Sequence, residues 1–147
     1  MKRPVSMKPG SAVKDGIKEG LTDERLAHPL LASYPPSERR AIVSLQLFLE
    51  IHGPSAPDLR ETIECWETCY SCRWRREKMR RDMAEQLLQI ERHRYFLGIE
   101  RQCEIKEEFA ARDWISKHAG SWREWWEQQP QSCPDLDVFD KDDTSTP

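Results

Sequence analysis

The sequence lacks the features that mark a membrane protein or a secreted protein. No run of about 18 apolar residues occurs, which argues against a membrane-spanning helix. Residues 1–20 contain no apolar segment of the kind found in a secretory signal. The five cysteines are an odd number and cannot all pair within the chain. We therefore expect a cytoplasmic protein with reduced thiols and no contact with a membrane.

Motifs for the common enzyme chemistries are also missing. The chain has no glycine-rich phosphate loop and no dinucleotide-binding glycine pattern. It has no Glu-x-x-His pair of the di-iron type and no Ser-His-Asp arrangement. These absences argue against an enzyme, and the sequence assigns no catalytic residue.

Proline and glycine are scarce in the centre of the chain. No proline occurs between Pro57 and Pro130, and the only glycines there are Gly98 and Gly120. A single glycine costs a helix only about 1 kcal/mol, so the long helix can extend through Gly98, whereas Gly120 is expected to end a helix. These signals predict helices over 57–96, 99–118 and 122–129, the last one starting at the capping box of Ser121.

The first part of the chain predicts two shorter helical pieces. Thr22 is a suitable N-cap for a short turn through Leu26. Ser37 is the expected N-cap of a helix over 38–52, which Gly53 ends. Strand-like alternation is absent from the central region. The predicted fold is therefore all-α, a small helical bundle built around one long helix.

Both ends of the chain are polar, and charge is unevenly distributed. The mean hydropathy is -0.82 and 33% of the residues are charged, which predicts a thin core that partner surfaces help to complete. Residues beyond 134 include five acids and one base. We expect a disordered segment over 1–21, a helical domain over 22–130 and an acidic disordered tail over 131–147.

The long predicted helix has two apolar stripes when successive residues are placed about 100° apart. The first stripe contains Cys65, Cys69, Cys72, Met79, Met83, Leu87, Ile90 and Leu97. The second stripe contains Trp66, Tyr70, Trp74, Leu88, Tyr95 and Ile99. A helix with two apolar stripes packs on two neighbours. One short first helix cannot cover both stripes, so the pattern favours self-association.

The three closely spaced cysteines have two main interpretations. Cys65, Cys69 and Cys72 continue the first stripe, which is typical of buried cysteines in a helical core. The same three thiolates can alternatively converge on zinc, copper or an iron–sulfur cluster, with a fourth ligand from Cys103, His93, His118 or Cys133. A redox thiol beside the arginines that follow is a third interpretation. The sequence leaves these alternatives open.

A basic run follows the cysteines and is a candidate surface for nucleic acid. Its bases are dispersed around the predicted helix, and no nucleic-acid-binding motif accompanies them. Contacts to phosphates are the functional interpretation, and a solvated helix side is the structural one. The six bases are Arg73, Arg75, Arg76, Lys78, Arg80 and Arg81.

Tryptophans cluster near the end of the predicted helical domain. They either cover the end of the core or form a docking surface for a partner protein, since tryptophan and arginine are frequent in binding hot spots. The candidate docking residues are Trp114, Trp122, Arg123, Trp125 and Trp126. The leading functional hypothesis is a small cytoplasmic interaction or scaffold protein that binds a protein partner or a second copy of itself.

Overall fold

The computed structural model describes residues 16–134, and within that range every regular element is helical, so the predicted all-α class is confirmed. Residues 16–20 are helical. Short 3-10 turns occupy Pro29–Leu31 and Pro130–Ser132. The α-helices are α1 (Asp23–Leu26), α2 (Pro36–His52), α3 (Leu59–Cys65), α4 (Ser71–Arg101) and α5 (Glu107–Gln128).

One continuous helix dominates the fold. A π-helical turn, Trp66–Tyr70, joins α3 to α4, and the three pieces together span 43 residues, as the scarcity of proline and glycine predicts. The helix starts because the Asp58 carboxylate accepts the Glu61 N–H at 2.8 Å, with the reciprocal bond completing a capping box. It passes through Gly98 and ends at Gln102, whose φ of 54° is left-handed.

The predicted break at Gly120 is wrong. Residues 107–128 form a single helix, so the separate helices expected over 99–118 and 122–129 do not exist. Trp114 and Ala119 before the glycine and Trp126 after it are all buried. Their burial outweighs the cost of one helical glycine, which is about 1 kcal/mol. The Ser121 hydroxyl donates to the His118 carbonyl at 3.3 Å instead of capping a new helix.

The main core lies between α2 and the start of the long helix. Ile42 and Leu45 of α2 pack with Trp66 and Trp74, whose rings meet edge to face with centroids 5.5 Å apart. Ile17 is also buried in this core. The packed region therefore begins before residue 22, earlier than the expected domain boundary.

The packed region also extends past the other expected boundary, because Ser132 is fully buried. The Thr22 N-cap is confirmed, since its hydroxyl accepts the Arg25 N–H at 3.3 Å. Helix α2 starts two residues earlier than an N-cap at Ser37 would predict, with Pro35 as its N-cap. Residues 1–15 and 135–147 lie outside the described range, and with them most of the two segments that we expected to be disordered.

A second, thinner core joins α4 to α5. Ile90 packs with Trp114 and Ala119, and Leu97 forms a separate small cluster near the loop between the two helices. Helix α5 is therefore the second neighbour of the long helix. It covers α4 from one side only.

Both predicted stripes are only partly buried. The second stripe is buried at Trp66 and Trp74, whereas the first is buried at Ile90 and Leu97. The change occurs within α4, where Trp74 packs in the core with α2 and Ile90, about 160° away around the helix, packs against α5. The π turn precedes both residues. The inward line therefore crosses from one stripe to the other because the packing neighbour changes along the helix.

Candidate interaction surface

The side of α4 that faces away from α5 carries a row of exposed apolar side chains. Leu88, Tyr95 and Ile99 are 55%, 64% and 57% exposed. Ala84 is also exposed and lies on the same line. These four residues fall within about 60° of one another around the helix, opposite the residues buried against α5. We call this row the outer face of α4.

Two opposite charges border the outer face at its middle. Glu91 and Arg92 are both exposed, and each lies about 50° from the centre of the face, on opposite sides. The Glu91 carboxylate lies 3.7 Å from the Arg94 guanidinium. The outer face is thus an apolar strip with an acidic and a basic margin at the same height.

The predicted tryptophan surface is mostly part of the core. Trp114 and Trp126 are buried, and Trp122 stacks on Trp126 with an interplanar angle of 9° and centroids 5.7 Å apart. Only Trp125 and Arg123 of the five candidate docking residues are exposed. The tryptophan cluster therefore packs against α4 between Asp82 and Ile90 and leaves a small exposed remainder.

An open groove of about 520 Å³ lies beside this cluster and includes Phe96 of α4 in its lining. Its polar wall is His93, whose Nε2 lies 2.8 Å from Asp113 Oδ2, and the ring centroid of His118 lies 5.4 Å from that of His93. The hydrogen bond with His93, together with Lys117, lowers the pKa of Asp113. This pair ties α4 to α5 and fixes the shape of the groove.

A buried carboxylate organises the junction of α2 with the long helix. Glu38 Oε2 accepts the Trp66 indole N–H at 2.9 Å and two N–H groups of Arg75 at 2.9 and 2.6 Å. The Tyr34 hydroxyl donates to Glu67 at 2.6 Å. Burial and this bond raise the pKa of Tyr34 to about 12, and the same bond lowers the pKa of Glu67.

A second polar cluster joins three helices. Lys78 is buried, and its ammonium group binds the Asp82 carboxylate at 2.6 Å and Glu127 at 3.0 Å. Glu127 also accepts the N–H and hydroxyl of Ser37 at the start of α2. Burial acts to raise the pKa of Glu127, but the bonds from Ser37 and Lys78 outweigh it and the pKa is lowered. The Trp126 indole donates to Asp82 at 2.8 Å.

Most of the basic run is engaged within the protein. Arg75 pairs with buried Glu38, Lys78 pairs with half-buried Glu127, and Arg81 donates to the Gln131 carbonyl at 3.1 Å. Such contacts stabilise the fold and reduce the charge available to phosphates. Nucleic-acid binding stays a prediction. Of the other bases, Arg80 pairs with Glu77 at 3.6 Å, Arg73 is half-buried and Arg76 is exposed.

The cysteines do not form the four-thiol site that the spacing allowed. Cys69 and Cys72 are exposed and Cys65 is half-buried, so the interpretation as three core cysteines is also wrong. The π turn moves Cys72 off the line of the other two by about 100°. Cys103 follows the far end of α4, about 45 Å along the helix from Cys72. Within residues 16–134, no group of three or more metal-ligating side chains is placed to hold an ion.

The environment of Cys65 differs from that of a reactive cysteine. Burial, with a smaller contribution from the neighbouring Cys69, raises the pKa of Cys65. A raised pKa makes the Cys65 thiol a poorer nucleophile near neutral pH.

Sequence reasoning missed the two acids on which the polar clusters depend. Glu38 looks like an ordinary first-turn acid of a helix, and Glu127 like a charge near the end of one. Their roles come from tertiary contacts with residues 28 and 49 positions away. The one available signal was the presence of tryptophans and basic residues at buried helix positions, because buried N–H donors require acceptors.

No family model, curated protein or solved structure matches this chain. Across the described residues, none of the helices combines the length and apolar character needed to traverse a lipid bilayer.

Proposed function

We propose that this protein is a helical interaction protein that self-associates through the outer face of α4. The observation that carries the proposal is the row of Leu88, Tyr95 and Ile99, each more than half exposed on one side of one helix. Single exposed apolar residues are ordinary on protein surfaces, but rows of them mark contact sites. The outer face runs about 22 Å from Ala84 to Ile99.

The thinness of the second core supports the same proposal. Helix α5 covers one side of α4 and buries only Ile90 and Leu97 of the apolar residues that follow the polar cluster. A second copy on the outer face would cover the other side and complete a layered helical bundle. None of the five cysteines forms a disulfide in the described part of the chain, which agrees with a reducing compartment and supports placing the protein in the cytoplasm.

The size of the outer face sets the expected strength of association. A contact along four helical turns is at the lower end of specific interfaces, which typically bury about 800 Å² per partner. We therefore expect dissociation constants on the order of micromolar rather than nanomolar. Such a protein would exchange partners readily, as a scaffold does.

Two neighbouring leucines provide a matched test. Leu88 lies on the outer face, whereas Leu87 points about 90° away and has a similar exposure, 60% against 55%. We expect Leu88→Glu to abolish the concentration-dependent increase in mass and Leu87→Glu to retain it, measured by sedimentation velocity. Equal behaviour of the two variants, with both dimeric or both monomeric, would refute the outer face as the contact.

A further inference from the structure

The geometry points to a specific arrangement of that contact: two copies pair their α4 helices parallel and in register. This inference rests on the proposed function and adds the orientation of the partner. In this arrangement Leu88, Tyr95 and Ile99 each meet the same residue of the second copy. A parallel pair with two-fold symmetry makes such self-contacts along its whole length.

The apolar residues alone allow two arrangements. In an antiparallel pair, Leu88 can lie opposite Tyr95 of the partner while Ala84 lies opposite Ile99, since both pairs share a midpoint between residues 91 and 92. In a parallel pair, every apolar residue meets itself. Both arrangements keep the strip apolar, so another feature of the surface must decide between them.

The two charges at the middle of the strip make that decision. In a parallel pair, the margin carrying Glu91 faces the opposite margin of the partner, which carries Arg92. The two residues are one position apart, about 1.5 Å along the axis, and symmetry creates the pair twice. In the antiparallel pair, the Glu91 margin of one copy faces the Glu91 margin of the other, and the two Arg92 margins also face each other. Glu91 therefore meets Glu91, and Arg92 meets Arg92. Opposed like charges disfavour that orientation.

A second pair of charges agrees with the parallel arrangement. Arg80 lies on the same margin as Glu91, and Glu85 lies on the same margin as Arg92. A separation of five residues between facing margins is the spacing at which charged side chains pair in parallel coiled coils. The Arg80 side chain is 71% exposed, and its ion pair with Glu77 of the same chain is long, at 3.6 Å. It can therefore turn toward Glu85 of the partner.

Engineered cysteines distinguish the two orientations. In full-length protein with exposed Cys69, Cys72 and Cys103 changed to serine, we would introduce Ala84→Cys or Ile99→Cys. The parallel pair predicts a disulfide-linked dimer of the Ala84→Cys variant alone under mild oxidation. The antiparallel pair predicts little linkage of either variant alone and efficient linkage when the two are mixed. The background without an added cysteine gives the baseline.

Charge reversal gives an independent measurement. The parallel pair predicts that Glu91→Arg or Arg92→Glu weakens association by roughly tenfold, since two attractive contacts become repulsive. The double reversal should restore association. In the antiparallel pair, a single charge reversal replaces one pair of like charges by another pair of like charges, so the dissociation constant stays unchanged.

The outcomes separate this inference from the proposed function. Linkage only in the mixture, or single reversals without effect, would overturn the parallel arrangement while the dimer itself persists. A protein that stays monomeric in every variant and in the wild type would overturn the proposed function. These surface positions are exposed on the helix, and circular dichroism would verify that each variant keeps its helical fold.

Discussion

Glu38 and Trp66 are joined by a hydrogen bond in the interior, where the indole Nε1 donates to Oε2 at 2.9 Å. Glu38 is 5% exposed and Trp66 is fully buried. Arg75 shares the same carboxylate oxygen, so one buried acid holds two donors from the long helix against α2. The junction of the two helices therefore depends on a polar contact as well as on apolar packing.

Removal of this carboxylate should be costly. We expect Glu38→Ala to lower the free energy of unfolding by about 2–3 kcal/mol, because the Trp66 indole and the Arg75 guanidinium lose the buried carboxylate that they share. Urea unfolding followed by tryptophan fluorescence measures the change. The matched control is Glu67→Ala, whose carboxylate is 41% exposed and should cost less than about 1 kcal/mol. A larger effect at Glu67 than at Glu38 would contradict the assignment.

Acid should destabilise the protein through Glu127. Its pKa is lower in the folded state than the ordinary value of 4.5, so the folded state holds fewer protons than the unfolded state as pH falls. The stability that this difference contributes is present above about pH 4.5 and is lost as the pH falls through the folded-state pKa.

The pH dependence of Glu127→Gln isolates this contribution. Its free energy of unfolding should decline less steeply below about pH 4.5 than that of the wild type, because the substituted side chain does not titrate. Parallel curves for the two proteins would show that Glu127 does not contribute to the acid sensitivity.

Gly120 offers a stabilising substitution. It lies inside α5, and a Cβ added there would meet nothing within 4 Å. Gly120→Ala should raise the free energy of unfolding by about 0.5–1 kcal/mol, because alanine restricts the unfolded chain and favours a helix. Gly20→Ala is the contrasting variant, since its Cβ would lie 2.7 Å from the buried Leu47 side chain. Thermal unfolding of both should give opposite shifts in the melting temperature.

The exposed cysteines should be dispensable for folding. Cys69→Ala and Cys72→Ala should each change the free energy of unfolding by less than about 0.5 kcal/mol, because neither side chain is buried. Cys65 is half-buried, so Cys65→Ala should lower the free energy of unfolding by more, about 1 kcal/mol. Zinc content after equilibration with the ion should be the same in the triple variant and the wild type. A stoichiometric loss of zinc in the triple variant would restore the metal-site interpretation.

Local signals in the sequence predicted the helices well and their partners poorly. The Thr22 cap and the proline-free centre follow from backbone preferences, and the structure confirms both. The continuity of α5 through Gly120 was missed because burial of the flanking tryptophans outweighs a weak local preference. The same competition governs any helix terminus that has no proline.

The exposure of the two stripes could not be predicted, because it depends on which helix packs against each part of the long helix. Counting residues at a constant helical period assigns one face to one neighbour along the whole helix. Helix α2 covers the side of Trp74, whereas α5 covers the opposite side at Ile90, so Leu88, Tyr95 and Ile99 stay exposed. The candidate interaction surface lies where this change of neighbour leaves the second stripe uncovered.

Self-association is the central claim, and sedimentation equilibrium of the wild-type chain tests it most directly. The monomer mass is 17.4 kDa. Over concentrations from about 1 μM to about 500 μM, a contact of this size predicts a weight-average mass that rises from the monomer value toward twice that value. A mass that stays at 17.4 kDa over the whole range would contradict the account.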